Sequence, residues 1–269
     1  MIPPYSLVSV PEVGLNGAFA SALFYGLVSF ANLAPAPPTP YSKFSIGDKT
    51  PNQVSGRQGM LLIYTPALLG LSYQLTSSSI VGERAMLVGG LLVAHFAKRV
   101  LETLLVHVYS GSVSGAVSGF IGIYYLLTSL MVTWVTQLVP DRTLSPEAAT
   151  AGIVLFVVGE IGNLVHHVLL AQLRGPTKSP PSAAAAAGRM DKYKVPRGGL
   201  FEFVATPHYL FELIAWLGIA VTSQHLNAFL VFASMTSYLS SRAVQQAKWN
   251  RDNIRDYPRG RKNIVPGIF

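Results

Sequence analysis

Long apolar runs separated by short polar ones dominate this chain. A helix that crosses a bilayer needs about 20 mostly apolar residues. Seven stretches approach that length: 16–34, 60–78, 85–108, 115–139, 149–172, 209–223 and 225–244. The pattern predicts an all-α integral membrane protein of seven transmembrane helices, forming one domain over residues 1–269. The last two segments are short and joined by SQHLN, which predicts a tight helical hairpin.

The polar connections give the orientation. Residues 174–197 carry Arg174, Lys178, Arg189, Lys192, Lys194 and Arg197, and the C-terminal tail carries Lys248, Arg251, Arg255, Arg259, Arg261 and Lys262. Segment 36–58 adds Lys43, Lys49 and Arg57. Cations gather on the cytosolic side of membrane proteins. Seven spans with a lumenal N-terminus and a cytosolic C-terminus put all three cationic regions there. The stretch MIPPYSLVSVPEVG lacks a basic start and a small-residue cleavage site, so the first segment is expected to be an uncleaved anchor. APAPPTP, just before Tyr41, reads as a stiff extended linker and SPPSAAAAAG as a mobile insert.

Composition agrees with the membrane reading. The chain has 269 residues, of which 50% are hydrophobic and 12% charged, against about 25% charged in a soluble domain. The net charge of +8 lies between apolar segments and not on a soluble face, which argues against nucleic-acid binding. With 0 cysteines there is no disulfide, thiolate metal site or cysteine nucleophile.

Three apolar segments carry polar stripes. His95, Lys98, Arg99 and Glu102 fall on one face of the third, and Glu160, Asn163, His167 and Arg174 on one face of the fifth. His208 and Glu212 lie four apart at the head of the sixth, with Tyr209 and Trp216 beside them. A charge in lipid costs at least about 3 kcal/mol, so each stripe should face protein or a wet cavity. The stripes predict a shared polar cavity near the cytosolic side. Pairing of Lys98 or Arg99 with Glu102 would leave one cation over, free to meet a phosphate.

Other chemistries find less support. The 6 histidines form no His-Glu-x-x-His pair, and the neighbours His166 and His167 point about 100° apart on a helix, so no metal site is expected. SGSVSG at 110–115 lacks the Gly-x-Ser-x-Gly elbow of a serine hydrolase and reads as a flexible loop. Neither a Gly-rich dinucleotide fingerprint nor a phosphate loop is present. A nucleotide would have to be held by cationic and polar side chains.

YKVPRGGLFEFVATPHYLFELIAWLGIAV, from Tyr193, resembles the C-terminal region of the steroid 5α-reductase family, which also includes the trans-2-enoyl-CoA reductases of fatty acid elongation. GNLVHHVLLAQLRGP, the tail DYPRGRKNIVPGIF and PYSKF at 40–44 resemble family motifs in the same order. HFAKRVLETLLVH is similar to the His-x-x-Lys-Arg-x-x-Glu-Thr run of the enoyl reductases. The resemblance covers about residues 40–269, with 150–269 as the family's C-terminal reductase region. It implies seven helices in the endoplasmic reticulum membrane and hydride transfer from NADPH to a C=C bond conjugated to a carbonyl. A 3-oxo-Δ4 steroid is the lead substrate class and an enoyl thioester the second.

The resemblance also implies residue roles. Tyr41, Asn163, Arg174, Tyr193, Glu212 and Arg242 fall at nucleotide-contacting positions. His208 stands where the family has Asn, Lys194 replaces an Arg, and His167 matches a histidine of the enoyl reductases. Lys98 and Arg99 match that branch's basic pair, and Tyr209 its candidate proton donor. Tyr64, in IYTPA, occupies the place of the steroid reductases' catalytic Glu, and Phe96 that of a Tyr. Tyr64 is therefore the expected substitute donor to the carbonyl oxygen. A membrane methyltransferase and a non-catalytic partner in a membrane complex are the alternatives. TPHYLFE loosely resembles the first, and the two substitutions motivate the second.

Overall fold

A computed structural model of the chain describes residues 52–77, 79–109, 111–138, 145–174 and 193–269. The expected first span (16–34) and Tyr41 lie outside these residues. Six long helices follow one another in the described part: α1 (Gly56–Thr76), α2 (Glu83–Leu101), α3 (Gly115–Thr136), α4 (Pro146–Gln172), α5 (Pro207–Ser223) and α6 (Leu226–Asn253). They correspond to six of the seven segments read from the apolar pattern. Two of them, α3 and α4, are long and apolar enough to cross a membrane. Only 28% of the apolar window of each is buried within the protein. Side chains such as Phe120, Leu127, Val157 and Ile161 face outward instead. A soluble core helix would hide that surface.

The boundaries differ from the sequence reading in three places, each for a local reason. First, the segment expected at 85–108 is an α-helix only to Leu101. A π-helical turn, Glu102–Val106, follows, and the His107 N–H reaches back to the Glu102 carbonyl at 2.8 Å. Second, SGSVSG is not a loop throughout. Ser112–Ser114 (β2) pairs antiparallel with Gln53–Ser55 (β1), Val54 opposite Val113. The ribbon ends in helix caps. The Ser55 hydroxyl accepts from the Gln58 N–H, and the Ser114 hydroxyl from the Val117 N–H. Third, α6 runs 28 residues, well beyond the apolar segment, into the polar stretch 245–253. The hairpin between α5 and α6 is as tight as expected. Gln224 turns the chain in the left-handed region (φ 51°), and its side chain accepts from the Ser145 N–H at 3.2 Å.

Packing rests on small residues. α4 and α5 run in close contact because Gly152 and Gly159 of one meet Gly218 and Ala215 of the other. A Cβ on Gly159 would sit 2.4 Å from the Ala215 nitrogen. Close backbone approach of this kind brings two helices together where water provides no drive. α1 meets α3 in the same way, with Gly122 against the Leu62 carbonyl. Between these pairs lies the apolar core: Leu71, Leu92, Phe96, Trp216, Ile219 and Val231, with Tyr64 at its edge.

Adding one methyl group tests this packing. Gly159→Ala should lower stability by about 1–3 kcal/mol through overpacking. Gly119→Ala, with nothing within 4 Å of the new carbon, should leave it unchanged or raised. Thermal melts of the detergent-solubilised protein measure both.

Candidate functional site

The site grows from one constraint on α2. His95, Lys98, Arg99 and Glu102 lie on a single face, and that face points at α4 and α5. Their partners come from the other two stripes. His95 contacts Glu160 through Nδ1 at 2.7 Å and Glu212 through Nε2 at 3.4 Å. Lys98 Nζ lies 2.9 Å from Glu160, 3.5 Å from Glu102 and 2.6 Å from the Asn163 carbonyl oxygen. Arg99 donates to Glu102 and to the Tyr64 hydroxyl (2.6 Å), and lies 3.0 Å from His167 Nδ1. Asn163 then donates to the His208 carbonyl at 2.9 Å and to Glu212 at 3.1 Å. Trp216 donates to the other Glu212 oxygen at 3.3 Å.

The three stripes therefore converge, but as a closed cluster in which each side chain meets another. The expected surplus cation is not there. Lys98 and Arg99 face three carboxylates, Glu102, Glu160 and Glu212. His95 lies between two of these carboxylates, so every cation of the stripe has an acidic group beside it and none is left over. Opposite charges removed from water close on one another when geometry allows, since each left alone costs several kcal/mol. A cluster with no cation to spare attracts uncharged polar groups, such as a carboxamide or ribose hydroxyl, better than it attracts phosphate.

Around this cluster runs a chain of aromatic rings. His107 packs on His167 (4.7 Å between centroids), His167 on His208 (5.5 Å) and His208 on Tyr209 (4.4 Å). His208 Nδ1 is buried and has no hydrogen-bond partner among the described residues. Tyr64 lies beneath the Arg99 guanidinium, 4.7 Å from ring centroid to carbon, and against Tyr125. Phe96 is fully buried between His95 and Tyr125.

The ligand atoms of Glu102, His107 and His167 lie within 4.8 Å of one another, a separation a metal ion could bridge. Arg99 already occupies that point. One guanidinium nitrogen contacts both Glu102 Oε2 and His167 Nδ1, so a cationic side chain stands where a metal cation would sit.

The neighbouring histidine has a different task. His166 Nδ1 donates to the Gly162 carbonyl at 2.6 Å, and Nε2 accepts from the Leu200 N–H at 3.1 Å. It fastens the turn Gly199–Glu202 to α4. Gly199 has φ +52°, and a Cβ there would meet His166 Nε2 at 2.7 Å, so glycine is required on both counts. Glu202 closes the same turn. The Gly198 N–H and the Arg197 guanidinium hold its carboxyl below the usual carboxylate range. Its contribution is present at neutral pH and is lost as pH falls through that lowered value. This turn fixes where α5 begins, and therefore where His208 and Tyr209 stand.

The remaining expected residues lie apart from the cluster. Arg174 is exposed and donates to the Val108 carbonyl. Tyr193 packs edge-on against Trp249 of α6 (4.7 Å), Lys194 is exposed, and Arg242 is buried on α6. Residues 110–269 match the family described as 3-oxo-5-alpha-steroid 4-dehydrogenase.

The chain belongs to the 3-oxo-5α-steroid 4-dehydrogenase family.

Its similarity to that family is uneven. The chain is 37% identical over 119 residues to 3-oxo-5-alpha-steroid 4-dehydrogenase 1 of Rattus norvegicus, covering 44% of this chain and 41% of that protein. It is 30% identical over 178 residues to the very-long-chain enoyl-CoA reductase of Dictyostelium discoideum, 65% of this chain and 55% of that protein. It is 26% identical over 200 residues to 3-oxo-5-alpha-steroid 4-dehydrogenase 2 of Macaca fascicularis, 71% of each. The first two alignments thus span about half of the proteins they match.

His95, Glu102, Glu160, His107 and Trp216 join the site without having been singled out as site residues from the sequence. All of these but His107 were legible as stripe positions. His107 was not, because the π-helical turn carries it to His167.

Glu102→Gln tests the charge balance. It leaves Arg99 and Lys98 short of one buried carboxylate and should cost about 3–5 kcal/mol. Adding Arg99→Met should recover part of that loss, since the two changes are coupled. Melting temperatures of the two variants against the parent give the answer.

Proposed function

We propose that this protein is a membrane-embedded, NADPH-dependent oxidoreductase that reduces a C=C bond conjugated to the carbonyl of a lipid. The observation that carries the reading is the Arg99–Tyr64 pair at the edge of the balanced cluster. Hydride addition to a conjugated C=C bond builds negative charge on the carbonyl oxygen, and a positioned donor must stabilise it. The Tyr64 oxygen accepts from Arg99 at 2.6 Å, which leaves its own proton to donate. The guanidinium makes that phenol a stronger donor, and burial keeps water from competing.

The cluster fits the uncharged end of a nicotinamide cofactor. NADPH, when bound, supplies the hydride. Glu212, Asn163 and the His208 ring, whose buried Nδ1 lacks a partner among the described residues, would hold its carboxamide and ribose. Arg174, Lys194, Tyr193 and Arg242 would serve its phosphates and adenosine, with Tyr41 from the first part of the chain. Lys98, Arg99 and His167 keep the carboxylates oriented. Tyr209, against His208, would deliver the proton to the α-carbon.

The lead substrate class is a 3-oxo-Δ4 steroid, from the family's description. An enoyl thioester is the second reading. It is favoured by the recruitment of His95, Lys98, Arg99 and Glu102, all from one run, into a single cluster. Seven spans in the endoplasmic reticulum membrane complete the proposal.

Purified protein in detergent is given NADPH with a 3-oxo-Δ4 steroid or a trans-2-enoyl-CoA, and NADPH oxidation is followed. Tyr64→Phe should lower kcat by roughly a hundredfold with NADPH binding retained. Turnover of the thioester alone, lost in Tyr209→Phe, would transfer the protein to the second reading. Failure to bind NADPH, or binding of S-adenosylmethionine in its place, would sink both.

A further inference from the structure

We infer that the C-terminal tail forms a separate binding site for a phosphate-ester anion. This goes beyond the reductase reading and stands without it. The tail encloses a cleft of about 490 Å³ whose walls include Arg251, Arg259, Arg261, Lys262, Ile268 and Phe269. Four of these have cationic side chains, and none of the lining side chains is acidic. Glu202, which does not line the cleft, reaches Arg261 at 3.5 Å, and Arg261 also donates to the Pro196 carbonyl at 2.8 Å. Arg261 therefore serves the framework. Arg251, Arg259 and Lys262 are exposed, with no ion pair among the described residues. Three such cations around one concavity repel one another, and an anion of high charge density relieves that repulsion. Guanidinium groups match phosphate oxygens in geometry as well as charge.

The cleft is held rigidly, unlike a mobile basic tail. The Ala205 N–H donates to the Lys262 carbonyl at 2.8 Å, and the Lys262 N–H to the Phe203 carbonyl at 3.0 Å. The Thr206 N–H donates to Asn263 at 3.1 Å. The Ile264 and Val265 N–H groups bind the Phe269 oxygen at 2.7 and 2.8 Å, folding the last residues back as an apolar wall. These bonds join the cleft to the residues just before α5, whose first turn carries His208 and Tyr209. A ligand with phosphate at one end and an apolar body suits a basic, partly apolar cleft in this position. The phosphate could belong to an anionic lipid headgroup at the membrane surface or to the nucleotide handle of an acyl thioester.

The test uses full-length protein and a triple variant, Arg251→Gln, Arg259→Gln and Lys262→Gln. All three side chains are exposed, so the fold should survive, and Arg255→Gln, an exposed cation outside the cleft, serves as control. Adenosine 3′,5′-bisphosphate binding is measured in detergent by calorimetry. Stabilisation by phosphatidylserine is measured in phosphatidylcholine nanodiscs with and without that lipid. Losing each cation should weaken binding about tenfold, so the triple variant should lose about a thousandfold while the control keeps its affinity. Loss confined to the bisphosphate assigns the cleft to a nucleotide handle, and loss confined to the phosphatidylserine effect assigns it to a headgroup. Equal behaviour of parent and triple variant toward both probes overturns the inference. So does weakened binding of NADPH, but not NADH, in the triple variant, which would make the cleft part of the cofactor site.

Discussion

Everything near the proposed reaction centre depends on the buried ionic cluster that α2 forms with α4 and α5. Arg99 is its hinge, since it touches Glu102, His167 and Tyr64 and so joins the charged groups to the phenol we propose as the carbonyl donor. Charged groups in an apolar interior are tolerated only when paired and hydrogen-bonded. That condition dictates more than stability. It requires three helices to reach one another at matching depth, which the glycines of α4 and α5 permit. It also leaves the cluster without net charge to spare.

Much of the fold was readable because lipid imposes a simple code. Apolar length locates helices, and six of the seven segments have helical counterparts among the described residues. Stripe arithmetic located the cluster for the same reason, since residues three and four apart must share a face. The failures came where backbone geometry departs from the regular helix. The π-helical turn brought His107 to His167, and no spacing rule for an α-helix predicts that contact. The β1–β2 ribbon escaped notice because SGSVSG and QVS carry too few side chains to show an alternating pattern. The charge balance was misjudged for another reason. Each stripe was weighed alone, whereas Glu160 and Glu212 are supplied by other helices.

His166 and His167 show how far local reasoning extends. Their angular separation on α4 predicted that only one could face the site. His167 does, and His166 turns away to bind the Leu200 N–H. What the spacing could not supply was the second role. PRGGLF reads as a surface turn, but its two glycines adopt positive φ so that the backbone can lie against an imidazole. The turn is part of the device that sets the first residues of α5.

The division of charge follows from the solvent each region meets. In the buried cluster, cations face carboxylates, because an unpaired charge there would cost more than any single contact returns. In the tail, water and counterions lower that cost, so Arg251, Arg259 and Lys262 can remain without acidic partners. The hydrogen bonds between Phe203, Ala205 and Thr206 and residues 262–263 tie the tail to the start of α5. Recognition of phosphate and activation of a carbonyl can then be assigned to separate residues, with neither charge set disturbing the other.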